Sequence, residues 1–215
     1  MIDTLLSQQV ADRRVDLYER IISDLQDQQF SVVDSFFDTK VIVNCKEEML
    51  QFYEIDSFKK AAIGSKTNEI IRKEIRGDFI KWIDRHHAST YQKRLLKGID
   101  HFVDYLNTTC FLGIIEKEFH YAVYPKGTYY KRHLDVFQHD LRRRLSMVIY
   151  LNEDWQKEHG GELVIYKTAN DKERIIPIYP SFGRTVLFES QVLEHEVLKV
   201  NKGLRLSITG WLRTR

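Results

Sequence analysis

His133-Leu134-Asp135 sets an imidazole and a carboxylate two residues apart. In a strand, residues i and i+2 point to the same side, so the pair projects together as neighbouring metal ligands must. A His-x-Asp tripeptide alone is a weak signal, because such tripeptides arise by chance and the plainer reading is a solvated turn. His195, in Leu193-Glu194-His195-Glu196-Val197 at the end of another strand candidate, adds a second imidazole. Two histidines and one carboxylate make a facial triad, which leaves three adjacent positions on an iron ion open to a co-substrate and oxygen. Farther along, Gly203-Leu204-Arg205-Leu206-Ser207-Ile208-Thr209-Gly210-Trp211 reads as a strand with Arg205, Ser207 and Thr209 on one face, opposite Leu206 and Ile208. An arginine aimed into a core is costly unless an anion meets it. A dicarboxylate gripped by the guanidinium fork would be that anion, and an internal Arg–Glu bridge is the alternative.

The elements that must position these residues change character along the chain. Apolar residues at helical spacing predict helices over 11–28 (Leu17, Ile21, Leu25), over 46–61 (Met49, Leu50, Tyr53, Phe58) and over 89–109 (Leu95, Ile99, Phe102, Val103, Leu106), the last with Ser89 as its N-cap. Gln29 to Phe37 reads as a strand between the first two. After residue 118, short β-rich runs alternate with turn chemistry: Phe119–Tyr124, Leu145–Leu151, Gly161–Tyr166, Ile175–Tyr179, Arg184–Phe188 and Leu204–Trp211. Helices first and a double β-sheet after them is the expected order, with a sandwich or jelly roll as the β part.

The 215 residues, 43% of them hydrophobic, suffice for one well-buried core. The 33 basic and 31 acidic residues nearly balance, which gives no global reason to expect a nucleic-acid partner. Cys45 and Cys110 are far apart and in no CxxC spacing; they read as reduced core thiols rather than a disulfide framework or a zinc site. No basic-then-apolar leader opens the chain and no apolar run approaches a membrane span, so no membrane association and a cytoplasmic location are expected. Arg142-Arg143-Arg144 reads as a solvated run, with a substrate contact or a pairing with Asp78 as alternatives. His86, His87, His120, His139 and His159 lack partners at ligand spacing.

The array of His133-x-Asp135, His195 and Arg205 resembles the Fe(II)- and 2-oxoglutarate-dependent oxygenases of the prolyl 4-hydroxylase type. Tyr150-Leu151-Asn152, Trp155 and Gly160-Gly161-Glu162-Leu163 look like that family's Tyr-Leu-Asn…Trp…Gly-Gly-x-Leu stretch, and Tyr124-Pro125 and Trp211 also fit. Ile75-Arg76-Gly77-Asp78-Phe79-Ile80-Lys81-Trp82-Ile83 is similar to a segment of the oxygen-sensing, EGL-nine-type prolyl hydroxylases. The resemblance covers roughly residues 75–212.

The resemblance implies an α+β fold: a double-stranded β-helix (jelly roll) core with N-terminal helices packed on one sheet. It implies one oxygenase domain over 1–215, with 1–110 mainly helical support carrying early strands and 111–215 the catalytic core. His133, Asp135 and His195 would hold Fe(II), and Arg205 and Tyr150 the distal carboxylate of 2-oxoglutarate. Tyr124, Thr209 and Trp211 would line the pocket; plain core packing is the alternative for the aromatics. The implied reaction consumes O2 and 2-oxoglutarate, releases succinate and CO2, and hydroxylates a C–H bond, of a prolyl residue in a protein or peptide. Ascorbate would keep the iron reduced, and the polar segment Gly64–Asn68 would supply a loop over the site. A small-molecule hydroxylase and an inactive cupin-like binding module remain alternatives. A nucleic-acid demethylase is disfavoured by Trp211, where those enzymes carry a second arginine, and a halogenase by Asp135.

Overall fold

The computed structural model describes residues 2–61, 75–136, 141–169 and 172–215, with residues 2–11 as backbone alone. The expected loop at Gly64–Asn68 and His139 lie outside the described residues.

Local signals set the helices. Ser89 accepts from the Gln92 N–H at 3.1 Å while the Gln92 side chain accepts from the Ser89 N–H, also at 3.1 Å. This capping box starts α3 (Thr90–Cys110), which buries the predicted face. The first helix, α1 (Ile2–Gln28), begins earlier than expected. The second, α2 (Thr39–Glu54), lies N-terminal to its predicted place at 46–61. Asp38 caps it through the Lys40 N–H at 2.8 Å, and Ile42 and Cys45 are buried with Met49, so the apolar stripe starts a turn before the one legible in the pattern. Asp56, at φ 54°, stops it.

The strands in chain order are β1 (Phe30–Val33), β2 (Lys59–Lys60), β3 (Phe79–Trp82), β4 (Glu116–Pro125), β5 (Tyr130–His133), β6 (Arg143–Tyr150), β7 (Leu163–Ala169), β8 (Lys172–Ile178), β9 (Thr185–Glu189), β10 (Glu194–Val197) and β11 (Leu204–Arg213). The strand expected over 29–37 shrinks to β1, because the chain turns at Ser35 with φ 62°. The strands form a seven-stranded sheet, β1-β9-β6-β11-β4-β3-β2, facing a four-stranded sheet, β5-β10-β7-β8, with antiparallel pairing throughout the named strands. This is the double-stranded β-helix, with β1, β2 and β3 widening its larger sheet.

Period-two alternation divides the core. On β6, Leu145, Met147 and Ile149 face the helices, together with Leu206, Ile208 and Leu212 of β11 and the buried faces of all three helices. On the other side, Val148 and Tyr150 meet Leu163, Ile165 and Ile178 of the smaller sheet. The helices thus cover one face of the large sheet and leave the inner face to the site. Asn152 ties the loop after β6 to β11: its amide donates to the Leu206 and Pro180 carbonyls and accepts from the Leu206 N–H at 2.7 Å.

Gly210 sits where β11 runs between β4 and β6, and a Cβ there would overlap the Glu118 carbonyl oxygen and the Phe119 ring. Overpacking a central ladder costs about 2–3 kcal/mol, so Gly210→Ala should lower Tm by roughly 4–10 °C in a thermal melt.

Candidate active site

The larger cavity, about 370 Å³, opens between the sheets. His133 is the last residue of β5, and His195 lies on β10 as its register partner. Asp135 lies just past the end of β5, in a bend rather than on the strand that the i, i+2 argument assumed. That bend brings the carboxylate between the imidazoles: His133 Nε2 is 3.5 Å from Oδ1 and His195 Nε2 is 3.6 Å from Oδ2. One ligand atom from each residue falls within 4.8 Å of the others.

The two histidines are held alike. His133 Nδ1 lies 2.7 Å from the Lys131 carbonyl and His195 Nδ1 lies 3.2 Å from the Leu193 carbonyl. A carbonyl only accepts, so each Nδ1 carries a proton, and each Nε2 faces Asp135. Burial, with His133 beside it, pushes His195 down to about 4, so it stays neutral, as a metal ligand must. Burial works against an ionised Asp135, but His195, His133 and the Ser146 hydroxyl outweigh it and hold the carboxyl well below the usual carboxylate range. Ser146 donates to Oδ2 at 2.7 Å and is itself bonded to Ser190 at 2.8 Å. Two imidazoles and one carboxylate, with their outer atoms already bonded, fit a divalent iron ion.

Inward-facing residues of β11 and β4 pair in rows: Arg205 with Tyr124, Ser207 with Ala122, Thr209 with His120. Arg205 is 3% exposed. Its Nε donates to the Gly161 carbonyl at 2.7 Å, and Nη1 and Nη2 reach the Ser207 hydroxyl at 3.3 Å and the Tyr150 hydroxyl at 3.4 Å. These acceptors are neutral, so among the described residues no glutamate is the expected anion partner. Gly161, at φ 76°, lets the chain pass this close: a Cβ would stand 3.0 Å from Arg205 Cδ. The guanidinium lies 4.9 Å from the Tyr124 ring centroid and 5.0 Å from that of Tyr150. Burial raises both phenols, more than the cation lowers them, so they remain hydrogen-bond donors.

Tyr124, Thr209 and Trp211 line the cavity with the triad and Arg205, while Tyr150, fully buried, stands behind Arg205. Val148, Leu163, Phe188 and Val197 form apolar side walls. Asp135 is the one carboxylate among the described lining residues, against Arg143, Arg205 and the lysines at the mouth. That asymmetry favours an anionic small molecule in the cavity.

Two contributors were not read from the sequence, and a third was paired differently. His120 lines the cavity between Trp82 and Trp211, at ring distances of 4.9 and 5.4 Å. Tyr130 stacks on His133 at 3.7 Å. Asp78 pairs with Arg76 through two hydrogen bonds, which corrects the pairing with Arg142–Arg144 considered above. Arg143 instead lies 3.5 Å over the Trp211 ring. Cys45 is buried and Cys110 only partly so.

Comparison with known proteins agrees with this geometry. Residues 119–213 match the family model described as the 2OG-Fe(II) oxygenase superfamily. A Pseudomonas putida prolyl-4-hydroxylase crystal structure is 33% identical, with TM-score 0.81 over 93% of this chain and 100% of that one. A Trichoplax adhaerens prolyl hydroxylase, solved in complex with a peptide fragment of the hypoxia inducible factor oxygen degradation domain, is 25% identical, with TM-score 0.85 over 95% of this chain and 92% of that one. The hypoxia-inducible factor prolyl hydroxylase of Caenorhabditis elegans is 28% identical over 90% of this chain. The chain spans only 28% of that relative's length, and less of a second curated relative from mouse.

Proposed function

From a chain that belongs to the prolyl 4-hydroxylase family of Fe(II)- and 2-oxoglutarate-dependent oxygenases, we propose an enzyme that hydroxylates a prolyl residue in a protein or peptide segment. The observation that carries the site assignment is a His-Asp-His cluster and a buried arginine whose partners among the described residues are neutral, both lining one cavity. When bound, ferrous iron and 2-oxoglutarate supply the oxidation: O2 and the co-substrate are consumed, succinate and CO2 leave, and one oxygen atom enters a C–H bond.

The chain's own residues bind, orient and exclude water. His133 and His195 present Nε2 and Asp135 a carboxylate oxygen, while the Lys131 and Leu193 carbonyls and Ser146 hold them in place. Arg205 offers its fork to the distal carboxylate, with Tyr150 setting the guanidinium from behind and Tyr124 beside it. Thr209 and Trp211 line the same cavity, and Val148, Leu163, Phe188 and Val197 keep water out. A peptide target is supported by the Trichoplax complex and by the exposed Trp82 at the cavity mouth.

We read residues 1–215 as one oxygenase domain, with 1–110 as support, because the three helices share a core with the large sheet. Ascorbate is the proposed reductant, and two free cysteines fit work in the reducing cytoplasm. No helix among the described residues is long and apolar enough to cross a membrane.

Incubation with proline-containing peptides, Fe(II), 2-oxoglutarate and ascorbate in air, read by mass spectrometry, tests the target class. The expected result is one added oxygen on a prolyl residue for each succinate formed. Succinate stimulated by a free small molecule, and by no peptide, would overturn the prolyl reading.

A further inference from the structure

The short segment Ile75–Asp78 crosses from one sheet to the other. Asp78 leads directly into β3 of the large sheet. Arg76 forms an antiparallel bridge with Tyr130 of β5 in the small sheet. The Gly77 N–H donates to the Tyr129 carbonyl at 3.0 Å, and the Lys131 N–H donates to the Ile75 carbonyl at 2.9 Å. Gly77 permits the approach, since a Cβ there would stand 2.9 Å from Thr128 Cβ.

Side chains continue the crossing to the triad. Arg76 donates from Nε to Asp78 Oδ1 at 2.8 Å and from Nη2 to Oδ2 at 2.6 Å. The Asp78 side chain is 0% exposed and that of Arg76 is 12% exposed. The guanidinium lies over one face of the Tyr130 ring, 4.3 Å from its centroid. On the other face the His133 imidazole stacks at 3.7 Å, with the rings 18° from parallel. Asp78, Arg76, Tyr130 and His133 thus form one column that ends on a residue of the metal cluster.

We propose that Asp78, Arg76 and Tyr130 are positioning residues for His133, holding its ring plane so that Nε2 stays aimed at the metal; this rests on the metal-site reading above. The Lys131 carbonyl bonds one edge of the ring, which leaves rotation about that bond open. A flat partner at van der Waals distance closes it. Packing alone would be met as well by an apolar pair in place of Arg76 and Asp78, since a buried ion pair is seldom more stabilising than hydrophobic residues of its volume. A planar guanidinium clamped by a carboxylate instead gives Tyr130 a rigid, flat backing. Asp78 also cancels the Arg76 charge, so the column brings no net positive charge toward a bound cation.

Co(II) titration of metal-free protein tests this, with dissociation constant and ligand-field absorption as readouts and a thermal melt as the check on folding. Tyr130→Phe keeps the ring and is expected to bind within about twofold of wild type, whereas Tyr130→Leu raises the dissociation constant about 10- to 100-fold, as loss of outer-shell support does at metal sites. Asp78→Asn removes the carboxylate clamp on the guanidinium and weakens Co(II) binding. Arg76→Met removes the flat backing while the Tyr130 ring stays in place and raises the dissociation constant as well, so this variant tests the column even where Tyr130→Leu fails to fold. Folded Tyr130→Leu protein with wild-type affinity and absorption overturns the column, as does folded Arg76→Met protein with wild-type affinity. Wild-type protein that takes up no Co(II) overturns the metal reading itself.

Discussion

Asp135→Ala protein is expected to bind divalent metal at least about 10³-fold more weakly than wild type and to form no succinate above background, because loss of a coordinating group exceeds the ~10–100-fold cost of outer-shell changes. Asp135 is the only acidic member of the cluster, and its carboxylate supplies the negative charge that draws a cation into a buried site. Its replacement also leaves two imidazole Nε2 atoms facing each other across a gap with no shared acceptor. Isothermal titration with Co(II) or Mn(II) measures the loss directly. Near-wild-type affinity in Asp135→Ala would mean that metal, if bound, sits elsewhere.

Arg205→Met is expected to lower kcat/KM for 2-oxoglutarate by about 10²–10⁴-fold while leaving metal affinity within a few-fold of wild type. Breaking a buried charge pair costs about 3–5 kcal/mol, and 1.36 kcal/mol is a factor of ten. Metal affinity is spared because Arg205 donates to Gly161, Ser207 and Tyr150 and to none of the cluster residues. Arg205→Lys should recover only part of the loss, since an ammonium keeps the charge without the fork. Steady-state kinetics with varied 2-oxoglutarate separates the cases: a change confined to kcat, at unchanged KM, would remove Arg205 from co-substrate binding.

The sequence carried much of this. Arg205, Ser207 and Thr209 on one face of a strand, with Leu206 and Ile208 on the other, follows from period-two alternation, and β11 has that arrangement because both its faces are buried against different partners. Helix α3 was legible to within a residue because a long amphipathic stripe and a capping box agree on its start. Helix α2 was placed too late because Val41-Ile42-Val43 is a β-branched run that does not read as helical, and only packing against α3 reveals Ile42 and Cys45 as buried.

What stayed hidden depends on contacts between segments far apart in the chain. Arg76 and Asp78 two residues apart look like an ordinary solvated pair until β5 is laid beside them. Tyr130 carries no sign of its stacking on His133, since the aim of a ring is not written in spacing. His120 has no ligand partner in sequence, and its place follows only from its register with Thr209 and Trp82. The His133-x-Asp135 spacing led to the right residues through an incomplete geometry, because a bend, rather than a continuing strand, turns the carboxylate back to the imidazoles.

Succinate formation from 2-oxoglutarate in air, with Fe(II) and ascorbate, compared among wild type, His133→Ala and Arg205→Met, tests the central claim most directly. The account predicts succinate from wild type, none above background from His133→Ala, and recovery in Arg205→Met only at much higher 2-oxoglutarate. Equal succinate from wild type and His133→Ala would contradict it, because turnover would then proceed without the cluster to which the iron is assigned.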